Sequence, residues 1–400
     1  MNKMTVEQVD VGSKQVVVRV DFNVPVHNGQ VTNDKRIRAA LPTIEYLVTR
    51  GARVVLISHL GRPKGRRRPE MSLEPCAGVL EEMLGRPVVF AADCVGQQAE
   101  DAAGSLADGE VALMENLRFH EGETKNDPDF ASRLARLGRI YVNDAFGTAH
   151  RAHASTVGIC NYIRPCVAGF LMKKELEYLG KVVREAEHPF VAIIGGAKIS
   201  GKIDVMANLL EKVDRLLIGG AMAFTFFKAR GLAVGRSLVE EEKVDLAAGL
   251  LETWKEKIVL PVDCVVTDRL DTRSRSIGTI STVGVDAIGP EQIGIDIGPD
   301  TIAVFSGIIK DARTVVWNGP MGVFEIDAAA RGTVSLARIL AEATSRGALT
   351  VIGGGDSAAA AEKAGVDHLL SHVSTGGGAS LALLEGKRLP AVEALSERGN

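Results

Sequence analysis

The chain has 400 residues, 46% of them hydrophobic and 24% charged, with a formal net charge of −3. That length exceeds one comfortable core and fits two domains of about 150 to 200 residues each, and the near-neutral balance excludes a nucleic-acid binder that works through a basic surface. The start, residues 1–8, lacks the apolar core of a signal peptide, no apolar run approaches membrane-spanning length, and five cysteines without metal-type spacing read as buried thiols, so a soluble cytoplasmic protein with no membrane or nucleic-acid partner is expected.

Short β-branched runs alternate with helical stretches along the whole chain. Strands are predicted at 16–21, 52–58, 111–114 and 139–143, with helices at 35–50, 72–84 and 127–137 between them. Residues 169–187 carry apolar side chains at Phe170, Leu171, Leu176, Leu179, Val182 and Val183 with charges elsewhere, the pattern of an amphipathic connecting helix. A second series follows, with strands at 190–194, 215–218, 258–261, 314–317, 349–352 and 369–373 and a helix from Lys202. The expected fold is α/β, two doubly wound Rossmann-like domains, each a mainly parallel sheet flanked by helices. The expected boundaries are 1–168, a connecting helix and hinge at 169–187, and 188–400, whose last residues can pack back on the first domain.

Polar residues cluster just past the predicted strand ends, where open α/β sheets place their ligand crevice. In the first half these are Asp21 and Asn23, Ser58, His59 and Arg62, Glu115, Asn116 and Arg118, then Asn143 and Asp144, running on to His150 and Arg151, with Arg36 at the start of the next helix. Guanidinium forks bind carboxylate and phosphate bidentately, so the set suits a small phosphorylated or carboxylated substrate. A surface salt bridge is the ordinary explanation for any one arginine; strand-end placement favours binding for the set. His150 and His153, three apart with Arg151 between, make a weak metal motif. Asp21, Asp144 and Glu115 are acid/base candidates, but arginines stand ready to pair with them.

In the second half two glycine triplets, residues 353–355 followed by Asp356-Ser357 and residues 376–378 followed by Ala379-Ser380, each close an apolar run and open a helical stretch. Glycine allows positive φ and close approach, and free N–H groups at a helix start suit phosphate. Residues 196–202 satisfy Gly-x-x-x-x-Gly-Lys, but Ile203 stands where a P-loop needs a hydroxyl for Mg²⁺. Lys198 and Lys202 nevertheless supply charge suited to phosphates. Residues 353–358 also meet a loose dinucleotide pattern, yet the next strand ends at Ser374-Thr375 without the acid that holds an NAD ribose. Asp356 would repel a pyrophosphate unless a cation intervened, which makes it a Mg²⁺ candidate. Tight turns alone are the plain alternative for each triplet. The turn-rich stretch 317–325 ends in Glu325, placed to meet ribose hydroxyls, and Gly219, Gly220 and Gly294 could admit a flat base or simply allow close packing.

The chain resembles phosphoglycerate kinases over essentially its whole length. The motifs at 21–25, 58–63, 115–119, 143–147, 317–320, 353–356 and 374–380 follow that family's order. The resemblance implies reversible transfer of the acyl phosphate of 1,3-bisphosphoglycerate to Mg-ADP, giving 3-phosphoglycerate and Mg-ATP in glycolysis. It implies a triose-phosphate site of Asp21, Asn23, Arg36, His59, Arg62, Arg118 and Arg151, and a nucleotide site of Lys202, Gly219, Gly220, Gly294, Pro320, Val323, Glu325, Gly354, Gly355, Asp356 and Ser357, with Asp356 toward Mg²⁺. Arg36, Lys198, Lys202, Gly355 and Gly378 are the expected catalytic group, small molecules the partners, a monomer the state, and hinge closure around 169–187 the motion. Departures are slight: Gly201 replaces a more polar residue, Ala221 a glycine, and 65–68 is unusually basic. A P-loop-like kinase and a non-catalytic nucleotide-binding scaffold are the other classes; Ile203 discriminates the first, and the presence of Arg36, Lys198, Lys202 and Asp356 the second.

Overall fold

The computed structural model describes residues 2–398. It divides into two compact units, one holding the described residues up to Glu177 together with those from Arg388 onward, the other Tyr178–Lys387. The break falls inside the helix Phe170–Arg184, and the last described residues belong to the first unit.

The first unit is built on a six-stranded sheet in the spatial order Val88–Ala91, Val111–Met114, Arg53–Ile57, Gln15–Arg19, Ile140–Asn143, Cys166–Ala168. All of these pairings are parallel. Val16, Val17 and Val18 are wholly buried, as a central parallel strand covered on both faces requires. One face packs on Ile37, Ala40, Ile44 and Leu47 of the helix Lys35–Thr49. The edge at Cys166–Ala168 is covered by both ends of the chain: the Ala168 amide donates to the Met4 carbonyl (2.9 Å), the Ser396 amide to the Cys166 carbonyl (2.8 Å), and Lys3 bridges Glu397 antiparallel. Covering an edge in this way removes a template for unwanted strand pairing.

The second unit repeats the plan with Ile258–Val259, Arg215–Ile218, Phe190–Ile194, Thr314–Asn318, Leu349–Gly353 and His372–Val373, again parallel throughout. Trp317 is fully buried on the central strand and donates its indole N–H to the Gly319 carbonyl at 2.7 Å. Truncating it to alanine costs about 3 to 5 kcal/mol. A three-stranded antiparallel sheet, Ile280–Gly284, Asp263–Thr267, Ile293–Ile297, is added to this plan and was not predicted. All five cysteines are buried and free. No helix among the described residues is long and apolar enough to cross a membrane.

Candidate functional site

Each unit carries one candidate site, past the carboxyl ends of its parallel strands. In the first unit Asp21 follows the central strand and its Oδ2 accepts from Arg36 Nη1 at 2.9 Å. His59, past the neighbouring strand, lies with Nδ1 3.8 Å from Asp21 Oδ1. Asn23 accepts the Gly61 amide through Oδ1 (2.9 Å), and Arg118 Nη1 donates to the Gly61 carbonyl (2.8 Å), so both hold the loop that follows His59. Arg151 is half-buried and donates from Nε to His150 Nε2 at 3.0 Å, and Arg62 is exposed on the same loop as Gly61. Arg118 Nε and Asp21 Oδ1 are buried without a hydrogen-bond partner among the described residues.

Arg19 was not singled out from sequence, yet it organises the site of the first unit. It is fully buried, donates from Nε to Ser155 Oγ (2.9 Å), from Nη2 to His59 Nδ1 (3.1 Å), and from Nη1 to the Val20 carbonyl. Ser155 in turn donates through Oγ and its amide to the buried Glu123 carboxylate, at 2.7 and 2.9 Å. The signal was present as one arginine directly after the run Val16-Val17-Val18. Burial, then Arg19, Arg118 and Arg36, push the His59 imidazole well below its usual range, and burial with Arg19 and Arg151 lowers the Arg118 guanidinium to about 10. Such a cluster of cations, partly dehydrated and short of anions, favours an anionic ligand.

The acid/base candidates have structural work instead. Asp144 accepts the Met172 amide (3.0 Å) at the start of the helix Phe170–Arg184, and burial raises it to about 6. Glu115 accepts from Ser72 Oγ and the Leu73 and Asn116 amides at 2.8, 2.9 and 2.7 Å, fixing the start of the helix Glu74–Leu84. His150 and His153 do not form a metal pair: the first accepts from Arg151, and the second lies 3.7 Å from Glu123.

In the second unit a cavity of about 350 Å³ is lined by Gly220, Gly294, Pro320, Val323, Glu325 and Asp356, among others. Backbone-to-backbone packing forms its floor: a side chain on Gly220 (φ +70°) would meet the Gly196 backbone and the Pro320 carbonyl. Glycine at Gly219 and Gly294 serves packing rather than open space, because a Cβ would run into Met321 and the Phe224 ring respectively. Phe224 and Ile295 give the cavity apolar walls; Glu325 and Asp356 are exposed at its edge.

The two glycine triplets meet. A Cβ on Gly377 would lie 3.5 Å from both Gly354 Cα and the Gly355 amide nitrogen. The helices Gly355–Lys363 and Gly377–Leu384 start from Gly354 and Gly376, which have no side chain to cap them, so the two sets of leading N–H groups stand side by side. Gly355 and Gly378 are exposed there. Ser357 turns inward, its Oγ accepting the Gly319 amide at 2.6 Å. Lys202 precedes the helix Ile203–Leu210, and burial lowers it to about 8 against the opposing pull of Asp356 and Glu385. Lys198 is exposed on the same loop, which Glu240 pins through Ser200 Oγ (2.5 Å) and the Ser200 amide (3.0 Å).

The family model described as phosphoglycerate kinase matches residues 6–387. Curated phosphoglycerate kinases of Chlorobium phaeobacteroides (strain BS1) and Prosthecochloris aestuarii are each 55% identical over 401 residues, covering 99% of this chain and all of the relative. Among solved structures, the phosphoglycerate kinase of Coxiella burnetii matches with a TM-score of 0.87 at 40% identity, and that of Pyrococcus horikoshii OT3 with 0.85 at 34%, both over 98% of each chain.

Proposed function

The chain belongs to the phosphoglycerate kinase family, and from that premise we propose how its residues carry the reaction. The activity is reversible transfer of the acyl phosphate of 1,3-bisphosphoglycerate to ADP, giving 3-phosphoglycerate and ATP, a step of glycolysis. The observation that carries the site assignment is the juxtaposition of the two glycine-started helices beside Lys202 and the cavity.

Asp21, Asn23, Arg36, His59, Arg62, Arg118 and Arg151 hold the triose phosphate. Asp21 and Asn23 act largely by orienting Arg36 and the loop carrying Gly61, as their contacts support. The cavity takes the base and ribose, with Gly220, Gly294, Pro320 and Val323 along the base and Glu325 toward the ribose hydroxyls; Gly219 contributes through packing against Met321. Lys202 and the amides from Gly354 to Ser357 meet the nucleotide phosphates. Those of the second triplet, with Gly378, meet the phosphoryl group in transit together with Arg36 and Lys198.

An oxygen of the ADP terminal phosphate attacks phosphorus; the bond from phosphorus to the acyl oxygen breaks, and the carboxylate of 3-phosphoglycerate leaves. The nucleophile is already ionised, so no general base is needed, and alignment with charge cancellation supplies the catalysis. Asp356 fits Mg²⁺: it is an exposed carboxylate on the cavity wall, in the first turn of a helix whose leading amides suit phosphate. A hard cation of this kind takes a carboxylate, phosphate oxygens and water, and when bound it neutralises charge between nucleotide oxygens. The two ligands belong to different units, so we propose closure about 169–187 to align them and exclude water. A cytoplasmic monomer is the proposed state, in keeping with five free buried cysteines.

The deciding assay mixes Mg-ATP with 3-phosphoglycerate and couples product formation to NADH oxidation. Arg36→Ala and Lys202→Ala should each lower kcat by about a hundredfold or more; wild-type rates in either variant would remove that residue from the site. Small-angle scattering without compaction in the presence of both ligands would remove the closure.

A further inference from the structure

Outside both candidate sites, Asp93, Cys94 and His120 bring together three different donor atoms, all within 4.8 Å of one another. They lie past the carboxyl end of the edge strand Val88–Ala91 and at the start of the helix Glu121–Lys125. Asp93 Oδ1 pairs with His120 Nε2 at 2.7 Å and accepts the Cys94 amide at 2.6 Å, which fixes the carboxylate on the inside of its turn. The His120 ring rests against Phe130 with centroids 5.2 Å apart, and Arg67 holds the strand end from the other side through the Ala92 carbonyl (2.9 Å). A half-exposed ion pair explains Asp93 and His120; it leaves unexplained the buried thiol close to both.

We propose that Asp93 Oδ1, Cys94 Sγ and His120 Nε2 form a binding site for Zn²⁺ or a cation of similar softness, with water as the fourth ligand. A mixed oxygen, sulfur and nitrogen set suits Zn²⁺ and does not suit Mg²⁺ or Ca²⁺, which take oxygen. Metal bonds of about 2.0 to 2.3 Å place tetrahedral donors about 3.4 Å apart. Asp93 and His120 therefore open by less than an ångström while the sulfur moves in. On binding, the Cys94 S–H proton leaves to solvent, and the neutral His120 ring carries its one proton on Nδ1, so that the Nε2 lone pair faces the metal. The bound ion ties the edge strand to the segment that follows Arg118, giving the sheet edge a staple.

The test uses the chelator-treated full chain, dialysed against micromolar Zn²⁺, and in parallel against Co²⁺ as a spectroscopic reporter. One equivalent of metal is expected, with a thiolate-to-cobalt charge-transfer band. Cys94→Ala should lose the band and weaken binding about a hundredfold; His120→Ala and Asp93→Asn should weaken it about tenfold or more. Far-UV circular dichroism checks folding, and if Cys94→Ala fails to fold, the two half-exposed positions decide. Absence of stoichiometric uptake by wild type overturns the proposal, as does uptake that the folded variants leave unchanged.

Discussion

Arg19 Nη2 lies 3.1 Å from His59 Nδ1, both buried. A guanidinium only donates, so Nδ1 is the acceptor and His59 presents Nε2–H as a neutral imidazole. The cations around it suppress a positive charge that an anionic ligand would favour. In the ligand-free protein the His59 ring should therefore still be neutral at pH values below 6.5 at which a free imidazole is charged, read by imidazole nitrogen NMR. Its folded pKa is depressed, so the unfolded chain binds the extra proton. The stability tied to His59 is present above about 6.5 and is lost as pH falls toward and through the folded value. Titration near 6.5 would contradict the arrangement.

Lys202 offers a second pH signature, this time in binding. Its ammonium, lowered to about 8 by burial, loses its charge at mildly alkaline pH. If only the charged form holds the phosphates, the Kd for ADP rises about tenfold per pH unit above about 8. Lys202→Arg, charged throughout, should flatten the curve. Calorimetric titration over the alkaline range reads both; an ADP affinity that stays level in wild type would take Lys202 off the phosphates.

Two glycines separate packing from ligand contact. A Cβ on Gly355 meets nothing within 4 Å, whereas one on Gly294 enters the Phe224 ring. Gly294→Ala should destabilise by about 1 to 3 kcal/mol through overpacking. Gly355→Ala should leave the thermal midpoint unlowered, since alanine favours the helix. It should nevertheless weaken ADP about tenfold, or about 1.4 kcal/mol. Denaturant melts and ADP titrations on both variants check this; unchanged ADP affinity in Gly355→Ala would place the phosphates elsewhere.

Asp296 lines the nucleotide cavity and accepts the Gly332 and Ile297 amides at 2.6 and 2.9 Å, yet burial still raises it to about 7. Its folded pKa lies above the unfolded value of 3.8, so the native state holds the extra proton between the two. Stability should therefore fall by up to about 1.4 kcal/mol per pH unit from roughly pH 4 to 7, and level off above. Asp296→Asn should remove that slope whatever its absolute stability. Urea melts at a series of pH values decide; equal slopes would show that Asp296 is ionised throughout.

Both parallel sheets were legible because their central strands are runs of β-branched residues between glycine-rich turns. The antiparallel addition was not: Ile280–Gly284 has no buried residue, so it lacks the alternation that marks a strand. Arg19 was hidden inside the strand predicted at 16–21, since one charged residue within a valine run carries no mark of the groups that folding brings to it. Asp144 and Glu115 stood out correctly as unusual, but a sequence does not distinguish a carboxylate that binds a ligand from one that accepts the amides of a following helix. His120 lies far along the chain from Asp93 and Cys94, so only folding brings that set together.

The chain leaves the first unit at Glu177 and returns at Arg388, so the second unit is, in topology, an insertion within the first. Ser396 and Glu397 close the edge of a sheet whose other strands end at Ala168. During synthesis the inserted unit emerges whole before those closing residues leave the ribosome. The first unit to be made is thus the last to be finished, and a stop codon a few residues early would spare the cavity of the second unit while uncovering part of the sheet edge of the first.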